Sequence, residues 1–162
     1  MDKKHENSEI SIVPAEEADL QSILELQHLA YLSEARLLND FSIPPLRETI
    51  EETRTQFSEC VILKAVTPSG EIVGSVRGRA VDGTLHVGKL MVHPDHQGRG
   101  IGSVLLRVIE NYCPYQRYEL FTSARSTRNI ALYERMGYVR FAEKPLTPDV
   151  QLVYLEKVIP GI

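Results

Sequence analysis

The chain has 162 residues, of which 43% are hydrophobic, enough for one domain with a well-covered core and too few for two ordinary ones. Eighteen basic against 22 acidic residues leave a formal charge of -4, which argues against a phosphate-tracking nucleic-acid binder and favours a small-molecule partner. Residues 1–9 are polar without an apolar block, and no run elsewhere reaches the ~20 apolar residues of a membrane span. The expectation is a soluble cytoplasmic protein with no membrane partner and a disordered tail over residues 1–9. Cys60 and Cys113 lie far apart, without metal-ligand spacing, and read as small buried hydrophobes.

Residues 10–13 alternate apolar and polar as a short strand should, and Pro14 leads into a helical pattern with Leu20, Ile23, Leu24, Gln27 and Tyr31 on one face. The prolines within residues 40–45 break that pattern, after which residues 46–57 read as a second, surface helix with Leu46, Ile50 and Phe57 loosely spaced. From Cys60 the period becomes strand-like. Residues 60–66, a Thr67-Pro68-Ser69-Gly70 turn and residues 71–81 make a hairpin. Asp82-Gly83 then marks a tight turn into a third antiparallel strand, residues 84–92.

Ile101, Val104, Leu105, Val108 and Ile109 fall at helical spacing before Pro114 stops the helix. Residues 118–123 read as a strand, and Ser126 or Thr127 can cap a helix that runs to Met136, with Gly137 supplying a left-handed C-terminal residue. Segments 138–143 and 151–158 close the chain as strands and could pair across a homodimer. The order β-α-α-β-β-β-α-β-α-β-β predicts an α/β fold: a mixed, mostly antiparallel sheet of about seven strands flanked by about four helices.

Between the third meander strand and the following helix lies Gln97-Gly98-Arg99-Gly100-Ile101-Gly102-Ser103. Glycines at alternate positions let backbone approach a ligand closely, and a helix start points unpaired amides and its positive dipole end at an anion. A pyrophosphate suits such a turn. A Rossmann dinucleotide site would need a glycine where Ser103 stands and a parallel sheet before it, although Glu119 lies at about the spacing of its ribose-binding acid. A P-loop would need Gly-Lys-Ser/Thr, which does not follow.

Gln97-Gly98-Arg99-Gly100-Ile101-Gly102 matches Gln/Arg-x-x-Gly-x-Gly/Ala, the signature of the GNAT superfamily of acetyl-CoA-dependent N-acetyltransferases. Upstream, Lys89-Leu90-Met91-Val92-His93-Pro94 is similar to the strand preceding that turn in the family. Downstream, Ser126 to Tyr138 resembles its second motif of Asn, Leu-Tyr and Gly-Phe/Tyr. With the element order, the resemblance covers a single GNAT-like acetyltransferase domain over residues 10–162. One departure stands out: many members carry an asparagine seven residues before the tyrosine, where this chain has Ser126, while Asn129 comes four before Tyr133. Either residue can take the asparagine's place.

The resemblance implies transfer of an acetyl group from acetyl-CoA, the donor substrate, to a primary amine of a small molecule or peptide by direct attack, without a metal. It implies that Leu90, Met91 and Val92, on a bulged strand, offer backbone groups to the pantetheine arm. Gln97, Gly98, Arg99, Gly100, Ile101, Gly102 and Ser103 would hold the pyrophosphate, Asn129 would touch the cofactor, and Tyr133 would protonate the departing thiolate. Arg99, Arg125 and Arg128 are candidates for the 3′-phosphate. The acceptor would lie against residues 31–46, with Tyr31 and Glu34 as its contacts. For the general base, His86, His93, Glu119, Glu25 and Glu34 stay open, and no cysteine relay is expected. The competing reading is a non-catalytic acyl-CoA-binding sensor or scaffold.

Overall fold

The computed structural model describes residues 9–160, so the expected tail, apart from Glu9, lies outside the described residues. Seven strands, β1 (Ser11–Pro14), β2 (Val61–Val66), β3 (Ile72–Val81), β4 (Thr84–Val92), β5 (Arg117–Ser123), β6 (Val139–Thr147) and β7 (Val150–Val158), form one sheet. Their spatial order is β1-β2-β3-β4-β5-β7-β6. Every neighbouring pair is antiparallel except β4 and β5, which are joined by the crossover helix α5 (Ile101–Tyr112). The mixed, mostly antiparallel sheet expected from the sequence is therefore the observed one. No helix among the described residues is long and apolar enough to cross a membrane.

Helices α1 (Leu20–Ala30), the short α2 (Leu32–Leu38), the single turn α3 (Pro44–Arg47) and α4 (Ile50–Glu59) precede β2, and α6 (Thr127–Arg135) links β5 to β6. The expected helix over residues 46–57 is corrected here. Pro44 and Pro45, suited to the first turn of a helix by their fixed φ, start α3, and that turn ends at Glu48, whose ψ is 132°. The next helix begins afresh, because the Thr49 hydroxyl accepts from the Glu52 amide while the Glu52 carboxylate accepts from the Thr49 amide. Residues 31–46, expected to lie against the acceptor, contain α2, which ends where Asn39 turns left-handed at φ 52°.

Helices α5 and α6 cover one face of the sheet, burying Leu105, Leu106, Ile109, Ile130 and Tyr133 against Leu63, Val76, Leu85, Leu120 and Leu155. On the other face α1 and α4 pack Leu20, Ile23 and Leu26 onto Ile62 and Met91. A β carbon on Gly74 would stand 3.0 Å from Leu105 Cδ1 and 3.1 Å from the Met91 carbonyl oxygen, so glycine is what lets α5 lie this close to β3. Cys60 and Cys113 are corrected in degree: each is free and half-buried rather than fully buried, and burial still raises both thiol pKa values.

Two irregularities shape the middle of the sheet. The β3–β4 ladder slips between Ser75 and Arg77, so that Lys89 and Leu90 together oppose Val76, and Lys89 takes φ 50°. This is the bulge expected there. The β4–β5 pairing covers only Thr84, Leu85 and His86 against Arg117, Tyr118 and Glu119. Beyond it β5 stays with β7 as far as Ser123 and β4 stays with β3, leaving a wedge-shaped gap whose wide end lies beside the start of α5.

Candidate active site

After β4, the His93 imidazole Nδ1 accepts from the Asp95 amide at 3.0 Å and Gln97 Nε2 donates to the Val92 carbonyl at 3.2 Å. These bonds fasten the turn to the strand. Gly98 and Gly100 have φ of 78° and 81°, where a side chain is strained. Gly100 caps α5 without a side-chain cap, leaving the amides of residues 101–103 without a partner among the described residues at the positive end of a twelve-residue helix. A β carbon on Gly98 or Gly100 would meet no atom of the described residues within 4 Å, so open space adjoins these amides. Gly102 differs: its added β carbon would make only ordinary contacts, 3.7 Å from Leu132 and 3.8 Å from Val92.

The gap exposes backbone selectively. The Val81–Thr84 hairpin closure and the His93 amide bond to the Val73 carbonyl (2.8 Å) fix the alternation of the ladder from both ends. By that alternation Gly88 and Met91 bond to β3, while Leu90 and Val92 turn their backbone groups toward the gap. Of the three strand residues expected to face a ligand, Met91 is thus committed to β3, with its side chain buried against α1.

Tyr133, on α6, is 7% exposed, and its hydroxyl makes no hydrogen bond among the described residues. Burial raises its pKa well above the usual phenol value, with Tyr31 and Glu34 adding to the effect. Tyr31, at the end of α1, is raised by burial and by Glu34, with Arg77 opposing. The two residues expected to contact the acceptor are therefore close enough to the expected acid to act on it. One bond joins their elements, since the Ser126 hydroxyl at the start of α6 donates to the Glu34 carboxylate on α2. Asn129, one helical turn before Tyr133, directs Nδ2 to Thr122 Oγ1 at 3.4 Å on β5. Ser126 and Asn129 thus tie the start of α6 to α2 and to β5 respectively.

Sequence reading missed a buried polar network on the opposite face of the sheet from α6, under α1 and α4. Arg77, 3% exposed, donates from Nη2 to Gln27 Oε1 at 2.9 Å and to Glu48 Oε2 at 3.0 Å, and from Nη1 to Glu48 Oε1 at 3.3 Å. Thr53 donates to Glu48 at 2.7 Å, and Gln27 donates to the Pro45 carbonyl at 2.9 Å. Burial would raise the Glu48 carboxyl, but the bonds from Arg77 and Thr53 outweigh it and hold the pKa below the usual range. Alternation along β3 carried the only signal, since Arg77 sits where an apolar inward residue would be unremarkable.

Among the candidate bases, Glu34 is the one whose charge raises the Tyr133 pKa, and it is bonded by Ser126 at the start of the helix that carries Tyr133. His86 Nδ1 lies 3.6 Å from Glu119, which pairs with Arg117 at 2.8 Å, and these residues sit at the closed end of the gap. His93 is engaged in its turn, and Glu25 accepts from Gln21 on the exposed flank of α1. Arg99 reaches His96 at 3.5 Å, Arg125 donates to the Asp149 carbonyl at 3.4 Å, and Arg128 is exposed on the first turn of α6.

Comparison with known proteins agrees with this geometry. The family model for the acetyltransferase (GNAT) family matches residues 20–138. The chain is 26% identical over 119 residues to the UPF0157 protein YqkA of Bacillus subtilis (strain 168), spanning 73% of this chain but only 34% of that relative's length. Solved structures with the same fold include the ribosomal-protein-S18-alanine N-acetyltransferase of Escherichia coli (TM-score 0.77, 17% identity, 94% of this chain and 96% of that one). Spermidine N-acetyltransferase of Vibrio cholerae in complex with CoA and spermine (TM-score 0.73, 15% identity, 94% and 96%) is another. Motif, topology and family match together make this chain a member of the GNAT family of acetyltransferases.

Proposed function

We propose that residues 10–162 form a single acetyltransferase domain that moves the acetyl group of acetyl-CoA to a primary amine of a small molecule or peptide within a ternary complex in the cytoplasm. The observation that carries this reading is the buried Tyr133 hydroxyl, which makes no hydrogen bond among the described residues and feels the charge of Glu34, itself bonded by Ser126 at the start of the helix that carries Tyr133. In it, the pyrophosphate lies on the turn from Gln97 to Ser103, Leu90 and Val92 offer backbone groups to the pantetheine arm in the manner of an added strand, and Asn129 lines the same side. Open space at Gly98 and Gly100 and the unpaired amides behind them fit such a donor.

The acceptor nitrogen, deprotonated, attacks the thioester carbon, and the C–S bond breaks. The oxyanion formed on the way is stabilised by an amide of the bulged strand, a kind of contribution worth roughly 10²–10³ in rate. Tyr133 passes its proton to the sulfur, and Glu34 takes up the proton the amine releases. A phenol whose pKa is raised stays protonated through neutral pH, as an acid in this role must. Exposed strand β6 at the sheet edge supports a homodimer.

The test is amine-dependent release of free thiol from acetyl-CoA by the purified chain, read with a thiol-reactive dye against a panel of amines. Thermal stabilisation by acetyl-CoA without thiol release from any amine would favour the sensor or scaffold instead.

A further inference from the structure

Ser126 stands at the start of α6, where a serine hydroxyl ordinarily accepts from an amide two or three residues further on. Here it makes no such cap bond. The Ser126 carbonyl serves the helix by accepting from the Ile130 amide at 3.0 Å, while the hydroxyl, on a residue only 4% exposed, donates to Glu34 Oε1 on α2. A hydroxyl given to a carboxylate makes a charge-assisted bond, stronger than the neutral cap it replaces.

Little else fixes Glu34. Its helix is seven residues long, begins without a side-chain cap and buries Ala35 alone. The other side-chain bond of α2, from Ser33 Oγ to the Ala30 carbonyl at 3.2 Å, reaches no further than the end of α1. Among the described residues the Ser126 bond is therefore the one side-chain hydrogen bond that ties α2 to any element beyond α1. A carboxylate accepts through two oxygens. Ser126 takes Oε1, and Oε2 makes no hydrogen bond among the described residues, so the bond orients the group and leaves one oxygen to act. Ser126 and Tyr133 lie seven positions apart, two turns on one face of α6, and aromatic side chains on a helix lean toward its N-terminus. The end of α6 that holds Glu34 is thus the end toward which Tyr133 leans.

We infer that Ser126 is a positioning residue for acyl transfer: its hydroxyl holds Glu34 Oε1 so that Oε2 receives the proton of the attacking amine. The C–S bond breaks as the Tyr133 proton passes to sulfur, and exchange with solvent returns Glu34 to carboxylate and Tyr133 to phenol between turnovers. This rests on the acyl-transfer reading above and adds to it a residue that touches neither substrate.

The experiment measures kcat, KM for acetyl-CoA and Tm in Ser126→Ala, Ser126→Thr, Glu34→Gln and the Ser126→Ala/Glu34→Gln double variant, with the best amine of the panel. Loss of a hydrogen bond to a charged group predicts that Ser126→Ala lowers kcat about tenfold or more, with KM for acetyl-CoA within about twofold of native. Ser126→Thr, which keeps the hydroxyl, restores most of the rate. In the Glu34→Gln background, itself slowed roughly 10²-fold or more, Ser126→Ala costs nothing further. A rise in KM for acetyl-CoA with kcat unchanged would overturn the inference and assign Ser126 to the cofactor. A native kcat in Ser126→Ala, or an equal loss with and without Glu34, would overturn it too. Near-native turnover in Glu34→Gln would do so however Ser126→Ala folds, and each of these results leaves acyl transfer standing. Acetyl-CoA binding by the native chain without thiol release from any amine would overturn the acyl-transfer reading, and the inference with it.

Discussion

Tyr133→Phe removes one oxygen and nothing else from the site. The ring is buried and lies 6.1 Å from that of Tyr138 between centroids, so packing is preserved, and the lost hydroxyl had no hydrogen bond among the described residues. Folding stability should therefore change by less than about 0.5 kcal/mol, which for a domain of this size moves Tm by no more than roughly 2 °C. If the hydroxyl protonates the leaving thiolate, kcat falls roughly 10²–10⁴-fold, equivalent to about 2.7–5.5 kcal/mol of transition-state stabilisation. KM for acetyl-CoA stays near the native value, because binding does not use that proton. Steady-state thiol release and a thermal melt on the same preparation check both halves. Unaltered turnover with unaltered Tm would refute the catalytic role and leave Tyr133 as a core aromatic.

Gly100→Val should abolish acetyl-CoA binding with only a modest loss of stability, since the new side chain meets open space but is held at φ 81°; calorimetric affinity matching the native chain would refute the pyrophosphate site. Leu105→Ala, at a fully buried position against Gly74, should cost about 2.7–5 kcal/mol in urea unfolding, and a loss below about 1 kcal/mol would contradict the α5 packing. Tyr31, Tyr133 and Tyr138 all have pKa values raised above the usual phenol value of 10.0, chiefly by burial. Their neutral forms favour the folded state, so this contribution is complete below pH 10 and is lost as pH rises past it. Tm should hold level to about pH 9.5 and then fall with phenolate absorbance; a Tm rising above pH 10 would contradict the burial of these hydroxyls.

What was legible in the sequence was local. Asp82-Gly83 announced its hairpin, and Gln97 to Gly102 announced both a helix start and a ligand turn, because each motif states its backbone requirement within a few residues. The first half of the site was harder. Pro44 and Pro45 looked like a simple break, whereas they begin a turn that carries Glu48 to Arg77, and nothing local marks residues 27, 48, 77 and 89 as neighbours. Ser126 shows the same limit. Its place before the tyrosine could be read, but its bond to Glu34 spans 92 positions of sequence.

The short β4–β5 seam divides the sheet into two half-sheets, β1–β4 and β5–β7–β6, that meet over three residue pairs. Around it Arg117 reaches Glu119 and Glu156 at 2.8 and 3.1 Å, and Glu119 faces His86. Placed at the vertex of the wedge, this cluster ties the two half-sheets together at the one place where they pair. The charged residues at this seam therefore belong to the framework of the sheet, at the end of the gap away from the start of α5.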